Sequence, residues 1–150
     1  MDDTPDPTDP DHAASVLRRS RTVAVVGFSA DPSKPSHHAP MELVARGFDV
    51  IPVNPFHDEV AGIRTVASLA EIDRHVDIVD VFRPAADTPD IARQAVAIGA
   101  GALWLQLGIR SEEARAIADA AGMAYVEDQC VAPISRRYDV VPAAESAPDD

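Results

Sequence analysis

An apolar run, Val23-Ala24-Val25-Val26, ends at Gly27 and passes into Phe28-Ser29-Ala30-Asp31-Pro32-Ser33-Lys34-Pro35-Ser36. Glycine lets a backbone turn sharply, hydroxyls and a lysine follow, and a helix start comes next. The N–H groups at such a start face an anion with the helix dipole behind them. The segment therefore reads as a phosphate-holding turn, with Gly27, Phe28, Ser29, Lys34 and Ser36 as its contact residues. It is not the usual dinucleotide turn, because G-x-G-x-x-G would need glycine where Ser29 and Pro32 stand. No G-x-x-x-x-G-K-[ST] occurs either, which excludes a P-loop.

Such a turn works at the carboxyl end of a buried parallel strand, and the chain supplies the rest of that sheet. After a short helix packing Val16 and Leu17, strands are expected at 22–27, 48–53, 76–82, 102–107 and 123–127. Between them lie a helix from Ser36 to Arg46 stopped by Gly47, an irregular stretch over 56–72 with Ser68 capping a short helix, a helix over 88–98, and one capped by Ser111. Short apolar strands alternating with helices predict an α/β, Rossmann-like, doubly wound parallel five-stranded sheet in a single domain. The expected order is 3-2-1-4-5, with the ligand outside the carboxyl ends of the strands where the order reverses. That places Val53, Asn54, Pro55, Phe82, Arg83, Gln106, Leu107 and Gly108 around Gly27.

Composition bounds the rest. The 150 residues suit one domain, spanning 11–141, between acidic tails at 1–10 and 142–150 expected to be disordered. The formal charge is -12, but nine acids lie in or beside these tails, leaving 16 acids against 13 bases elsewhere. Nucleic-acid binding, which needs a basic stripe, is not expected. Nor is a membrane span, since no apolar run approaches about 20 residues. One cysteine, Cys130, permits no internal disulfide, and a cytoplasmic protein is expected.

For the ligand, an NAD enzyme would place an acid at the end of strand two to bind the ribose. Here that strand ends in Asn54-Pro55. The blocks Val26-Gly27, Asp31-Pro32-Ser33-Lys34-Pro35-Ser36, Val50-Ile51-Pro52-Val53-Asn54-Pro55, Val76-Asp77-Ile78-Val79-Asp80-Val81-Phe82-Arg83 and Ala102-Leu103-Trp104-Leu105-Gln106-Leu107-Gly108 resemble those of the stand-alone CoA-binding proteins. Those proteins are similar to the CoA-binding domain of the succinyl-CoA synthetase alpha subunit. The resemblance covers about residues 13–135. It implies coenzyme A or an acyl-CoA as ligand, with the pyrophosphate at the Gly27 turn. The adenosine would lie along Val53, Asn54 and Pro55, and the pantetheine arm would pass Phe82, Gln106 and Gly108. The family's usual Asp-Arg-Cys-Pro stands here as Asp128-Gln129-Cys130-Val131, and Phe56-His57 follows Asn54-Pro55 where a basic residue is frequent.

The resemblance implies a binding module with no catalytic residue of its own; the alternatives are an NAD(P)-dependent oxidoreductase and a nucleotide-sensing adaptor. A homodimer or another protein partner stays open. Lys34 is expected to reach the ligand. Arg83 has two readings, ligand contact or a structural ion pair, and so does Cys130, either buried or beside the pantetheine thiol. Trp104 is expected in the core, and Asp80 is expected to accept from neighbouring backbone amides. The five histidines lack clustered ligands, so no metal is expected.

Overall fold

A computed structural model of the chain describes residues 4–144. Among these residues, the strands are β1 (Thr22–Val26), β2 (Asp49–Val53), β3 (Glu59–Val60), β4 (Ile63–Arg64), β5 (Ile78–Val81), β6 (Ala102–Leu105) and β7 (Ala124–Val126). The α-helices are α1 (Pro10–Arg18), α2 (Pro35–Ala45), α3 (Thr88–Ala97), α4 (Glu112–Ala120) and α5 (Val131–Arg137). Five strands pair in parallel, and β3 and β4 form a separate antiparallel pair within the stretch expected to be irregular.

The sheet order is β2-β1-β5-β6-β7. The third long strand thus lies between the first and the fourth, not outside the second as the expected 3-2-1-4-5 had it. Pro52 carries the reason. The N–H of Asp49 donates to Arg21 O in the β1 direction, at 2.9 Å, and that of Asn54 donates outward to Val66 O, also at 2.9 Å. By strand alternation the ring nitrogen of Pro52 faces outward too, where another strand would need a donor. Proline is confined to edge strands for this reason. The free edge is closed instead by Val66, whose N–H donates to Pro52 O at 3.0 Å.

Helices cover both faces, as doubly wound topology requires. One face packs Val23, Val25, Ile78, Ala102 and Trp104 against α1, α2 and α5 through residues such as Leu17, Leu43 and Ile134. The other packs Ala24, Val79, Val81, Leu103 and Leu105 against Ile91, Ala95, Ala114 and Ala118 of α3 and α4. Trp104 is in the core as expected, with its indole N–H donating to Gln129 O at 2.7 Å.

Two segments are more structured than their composition suggests. The acidic, proline-rich start carries Asp9 as N-cap of α1 and offers Pro7 O to the Glu127 N–H at 2.9 Å. At the far end, the Ala143 N–H donates to Ser20 O at 2.9 Å. The expectation of disorder for 1–3 and 145–150 lies outside the described residues. Helix α5, absent from the sequence-based reading, is anchored on α2: Ser135 and Arg136 donate to the two carboxylate oxygens of Glu42 at 2.8 and 2.7 Å.

Candidate functional site

With β5 beside β1, the order reverses between those two strands, and a crevice at their carboxyl ends is where such sheets hold ligands. Gly27 stands at that point with φ of +91°. A Cβ there would lie 3.0 Å from Phe82 O, so both the conformation and the close approach of β5 require glycine. Phe82 is therefore the immediate neighbour of the turn, with Gln106 beyond it and Asn54 on the opposite side.

The loop after Gly27 is tied to α2. The Ser29 N–H donates to Ser36 O at 3.0 Å, and Ser29 O meets His37 Nδ1 at 2.7 Å. Ser36 O is available because Pro40, four residues on, has no N–H to close the helical bond. The proline fits inside the helix because Ser29 supplies the missing donor. This modifies the expected phosphate turn: the Ser29 amide is used in loop closure. Its hydroxyl accepts from the Asp31 N–H at 3.0 Å and keeps its own O–H to donate. Phe28 also differs from expectation. Its side chain is 1% exposed in the core, edge-on to His37 at 5.6 Å between centroids, and only its backbone borders the site.

The start of α2 remains open. Lys34 is the N-cap and no side chain caps the helix. Among the described residues, the Ser36 N–H and hydroxyl and the Lys34 ammonium make no hydrogen bond or ion pair to the protein, Asp31 acting on Lys34 only at longer range. Lys34, Pro35 and Ser36 form one wall of a cavity of about 370 Å³ completed by Phe82, Gln106, Leu107, Ile109 and Cys130. A free cation and a free helix start thus adjoin an apolar hollow. Leu107, 70% exposed, forms part of its rim.

Across Gly27, Asn54 is held at three points: its N–H on Val66 O, its Nδ2 on Phe28 O at 3.5 Å, and its Oδ1 accepting the Phe56 N–H at 2.8 Å. Val53 is buried beneath it and Pro55 is exposed. Arg83 pairs with Asp87 at 2.9 Å, the structural one of its two readings. Gly108, at φ of +83°, donates its N–H to Asp128 Oδ1 at 2.7 Å and is not part of the cavity lining. That bond, with Arg110 beside it, holds the Asp128 carboxyl below the usual carboxylate range. Cys130 is half-buried and lines the cavity, and burial pushes its thiol up, so it is kept neutral.

Beneath the cavity lies a group whose role the sequence did not reveal. Asp80, expected to accept from neighbouring backbone amides, is held by the Val81 amide and also accepts from the Gln106 side-chain amide, while its Oδ2 has no hydrogen-bond partner among the described residues. Leu107 lines the cavity as expected, and Pro35 and Ile109 join it because a cavity between strand ends and a helix start is a tertiary object. A larger hollow of about 570 Å³ lies along β7 and α4, lined by residues such as His12, Arg19 and Arg115. It shares no residue with the strand-end crevice.

Residues 21–135 match the family described as CoA binding domain. The chain belongs to that family. The CoA-binding domain thus spans the sheet from β1 through β7 and most of α5. Among relatives, it is 38% identical over 116 residues to the uncharacterized protein YneT of Bacillus subtilis, covering 77% of this chain and 86% of that one. The solved structure of cell-free ID.343 from Thermus thermophilus is similar at 37% identity and TM-score 0.80, covering 87% of this chain and 98% of that one. A hypothetical protein from Pyrococcus horikoshii OT3 is similar at 30% identity and TM-score 0.83, covering 91% and 98%. Among the described residues, no helix is long and apolar enough to cross a membrane.

Proposed function

We propose that the protein binds coenzyme A, free or acylated, at the carboxyl ends of β1, β2, β5 and β6. The observation that carries this reading is the junction of two unlike surfaces at the order reversal. The uncapped start of α2 with Lys34 meets a mainly apolar cavity of about 370 Å³. Coenzyme A joins two such parts, a charged nucleotide diphosphate and a long aliphatic arm with two amides.

In this reading the pyrophosphate lies over Gly27 and takes the Ser36 N–H, the Ser29 and Ser36 hydroxyls and the Lys34 ammonium, charge-assisted contacts being the stronger hydrogen bonds. Val53, Asn54 and Pro55 border the adenosine. Arg83, paired with Asp87, stands at the rim. The pantetheine arm runs over Phe82 and along Gln106 toward Cys130, with Gly108 at its outer edge. An NAD site is disfavoured because β2 ends in Asn54 where a ribose-binding acid would stand. The proposal assigns binding and no reaction.

Native mass spectrometry of the purified protein and calorimetry with CoA and NAD test it. The expected result is CoA bound more tightly than NAD. Equal or tighter NAD binding overturns the reading.

A further inference from the structure

Asp80 occupies the middle of the central strand and is 0% exposed. In register it sits between Val25 of β1 and Trp104 of β6, neither of which offers a charge. On the helices covering that face, the polar groups are engaged elsewhere. His12 of α1 meets Tyr125 O at 3.1 Å, His37 of α2 meets Ser29 O at 2.7 Å, and Glu42 of α2 pairs with Arg136 of α5 at 2.7 Å. Cys130, before α5, is a neutral thiol. Besides the Val81 amide, the Asp80 carboxyl has one side-chain partner, Gln106 Nε2, and its Oδ2 has none among the described residues. A buried oxygen left without a hydrogen bond calls for an explanation.

Gln106 links this carboxyl to the cavity. It is 3% exposed yet lines the hollow, and its Oε1 accepts the N–H of Val131 at 3.3 Å, the first residue of α5 and the one after Cys130. A carboxylate only accepts. It therefore fixes the Gln106 amide with its NH₂ toward Asp80 and its carbonyl toward Val131. A protonated carboxyl can donate, which permits the flipped amide; the NH₂ would then face the Val131 N–H, donor against donor.

We propose that Asp80 is a positioning residue of the ligand site: its carboxylate locks the Gln106 amide onto the start of α5 and so holds Cys130 and that wall of the cavity in place. The inference rests on the CoA reading for its ligand, not for the lock itself. Burial pushes the Asp80 carboxyl up to about 7, against the Gln106 hydrogen bond and the Val81 amide, which pull it down. The lock is thus tightest above neutrality and loosened below it, where Val131 alone orients the amide. If the ligand binds only the locked form, its apparent affinity falls by at most about tenfold between pH 8 and pH 6, the change in the ionised fraction.

Two measurements on the full chain test this. First, NMR without ligand follows the Val131 amide and the Gln106 side-chain NH₂ from pH 5.5 to 8.5. Both are expected to shift with a shared midpoint near 7 in the wild type and to lose that transition in Asp80→Asn. Signals with no such transition, or with the same one in the variant, overturn the lock. Second, calorimetry compares CoA affinity at pH 6 and pH 8. The 3′-phosphate of CoA (second pKa about 6) is common to both measurements, so the difference between the two proteins' profiles belongs to Asp80. The expected result in Asp80→Asn is a profile flatter by up to about tenfold, with affinity at pH 8 lowered toward the wild type's pH 6 level, because an asparagine amide can donate as a protonated carboxyl does. Identical profiles overturn the coupling to the ligand. An Asp80-dependent NMR transition in a protein that binds no CoA at any pH would leave the lock standing and sink the CoA reading instead.

Discussion

At the amino end of the sheet, Asp77 accepts the backbone N–H groups of Arg21 and Thr22 at 2.8 and 2.9 Å and lies 3.4 Å from His75. Nearby, Asp49 takes Arg74 in two hydrogen bonds, at 2.8 and 3.0 Å, which hold its carboxyl below the usual range. Toward the carboxyl end, three residues further along the same segment, Asp80 has a single side-chain partner and a bare oxygen. At that end of the sheet stand a lysine with no ion pair among the described residues, an uncapped helix start and two exposed apolar side chains, Leu107 and, after β2, the 88% exposed Phe56. One end of the sheet is built for stability, with its donors and acceptors matched within the chain. The other leaves donors, charge and apolar surface unmatched among the described residues, as the proposed CoA site requires.

The contrast is sharpest in the response to losing each aspartate. Asp80→Asn removes a buried charge and is expected to stabilise the protein at pH 8 by up to about 4 kcal/mol, from a carboxyl raised from 3.8 to about 7. The sign follows from the raised value. The folded state holds this proton more tightly than the unfolded chain, so the stability it contributes is present below pH 4 and lost as pH rises through 7. Denaturant melts at pH 5 and pH 8 should therefore show the larger gain at pH 8, and an equal gain at both would break the comparison. Asp77→Ala should act in the opposite direction. It strands two backbone amides and is expected to cost about 2–4 kcal/mol of stability. CoA affinity of the folded fraction should stay within about twofold, and a larger loss would mean that the two ends are not independent.

Lys34→Ala gives the smallest expected change. Melts should change little, because among the described residues the ammonium makes no hydrogen bond or ion pair and meets Asp31 only at longer range. CoA affinity should fall by about 1–3 kcal/mol, the loss of one charge-assisted hydrogen bond. Dephospho-CoA should lose as much if Lys34 holds the pyrophosphate. Calorimetry with both ligands decides, and unchanged affinity for both would place the lysine outside the site.

Much of this was legible from the residues. The apolar runs with their glycine stops, Gly47 and Gly122, marked the strands and helices because burial and turn geometry are written locally. The turn at Gly27 was legible because only glycine suits that conformation, and the family resemblance followed from blocks around it. The strand order was legible in one residue that the expectation did not use: Pro52, whose missing donor makes β2 an edge strand. Helix α5 was not, since seven residues containing a proline give too short a pattern to separate helix from loop.

The sequence by itself determined the α/β alternation, the glycine turn, the missing ribose acid and the membership of a family. Tertiary structure alone decided which groups at the site remain free. Ser29 lost its amide to Ser36 because Pro40 left that carbonyl open, and Arg83 was taken by Asp87. Lys34 kept its charge, and Asp80 came to lie under Gln106 with one oxygen bare. Residue types state what a group could bond. Whether a neighbour from another element already occupies that bond depends on the packing of segments distant in sequence.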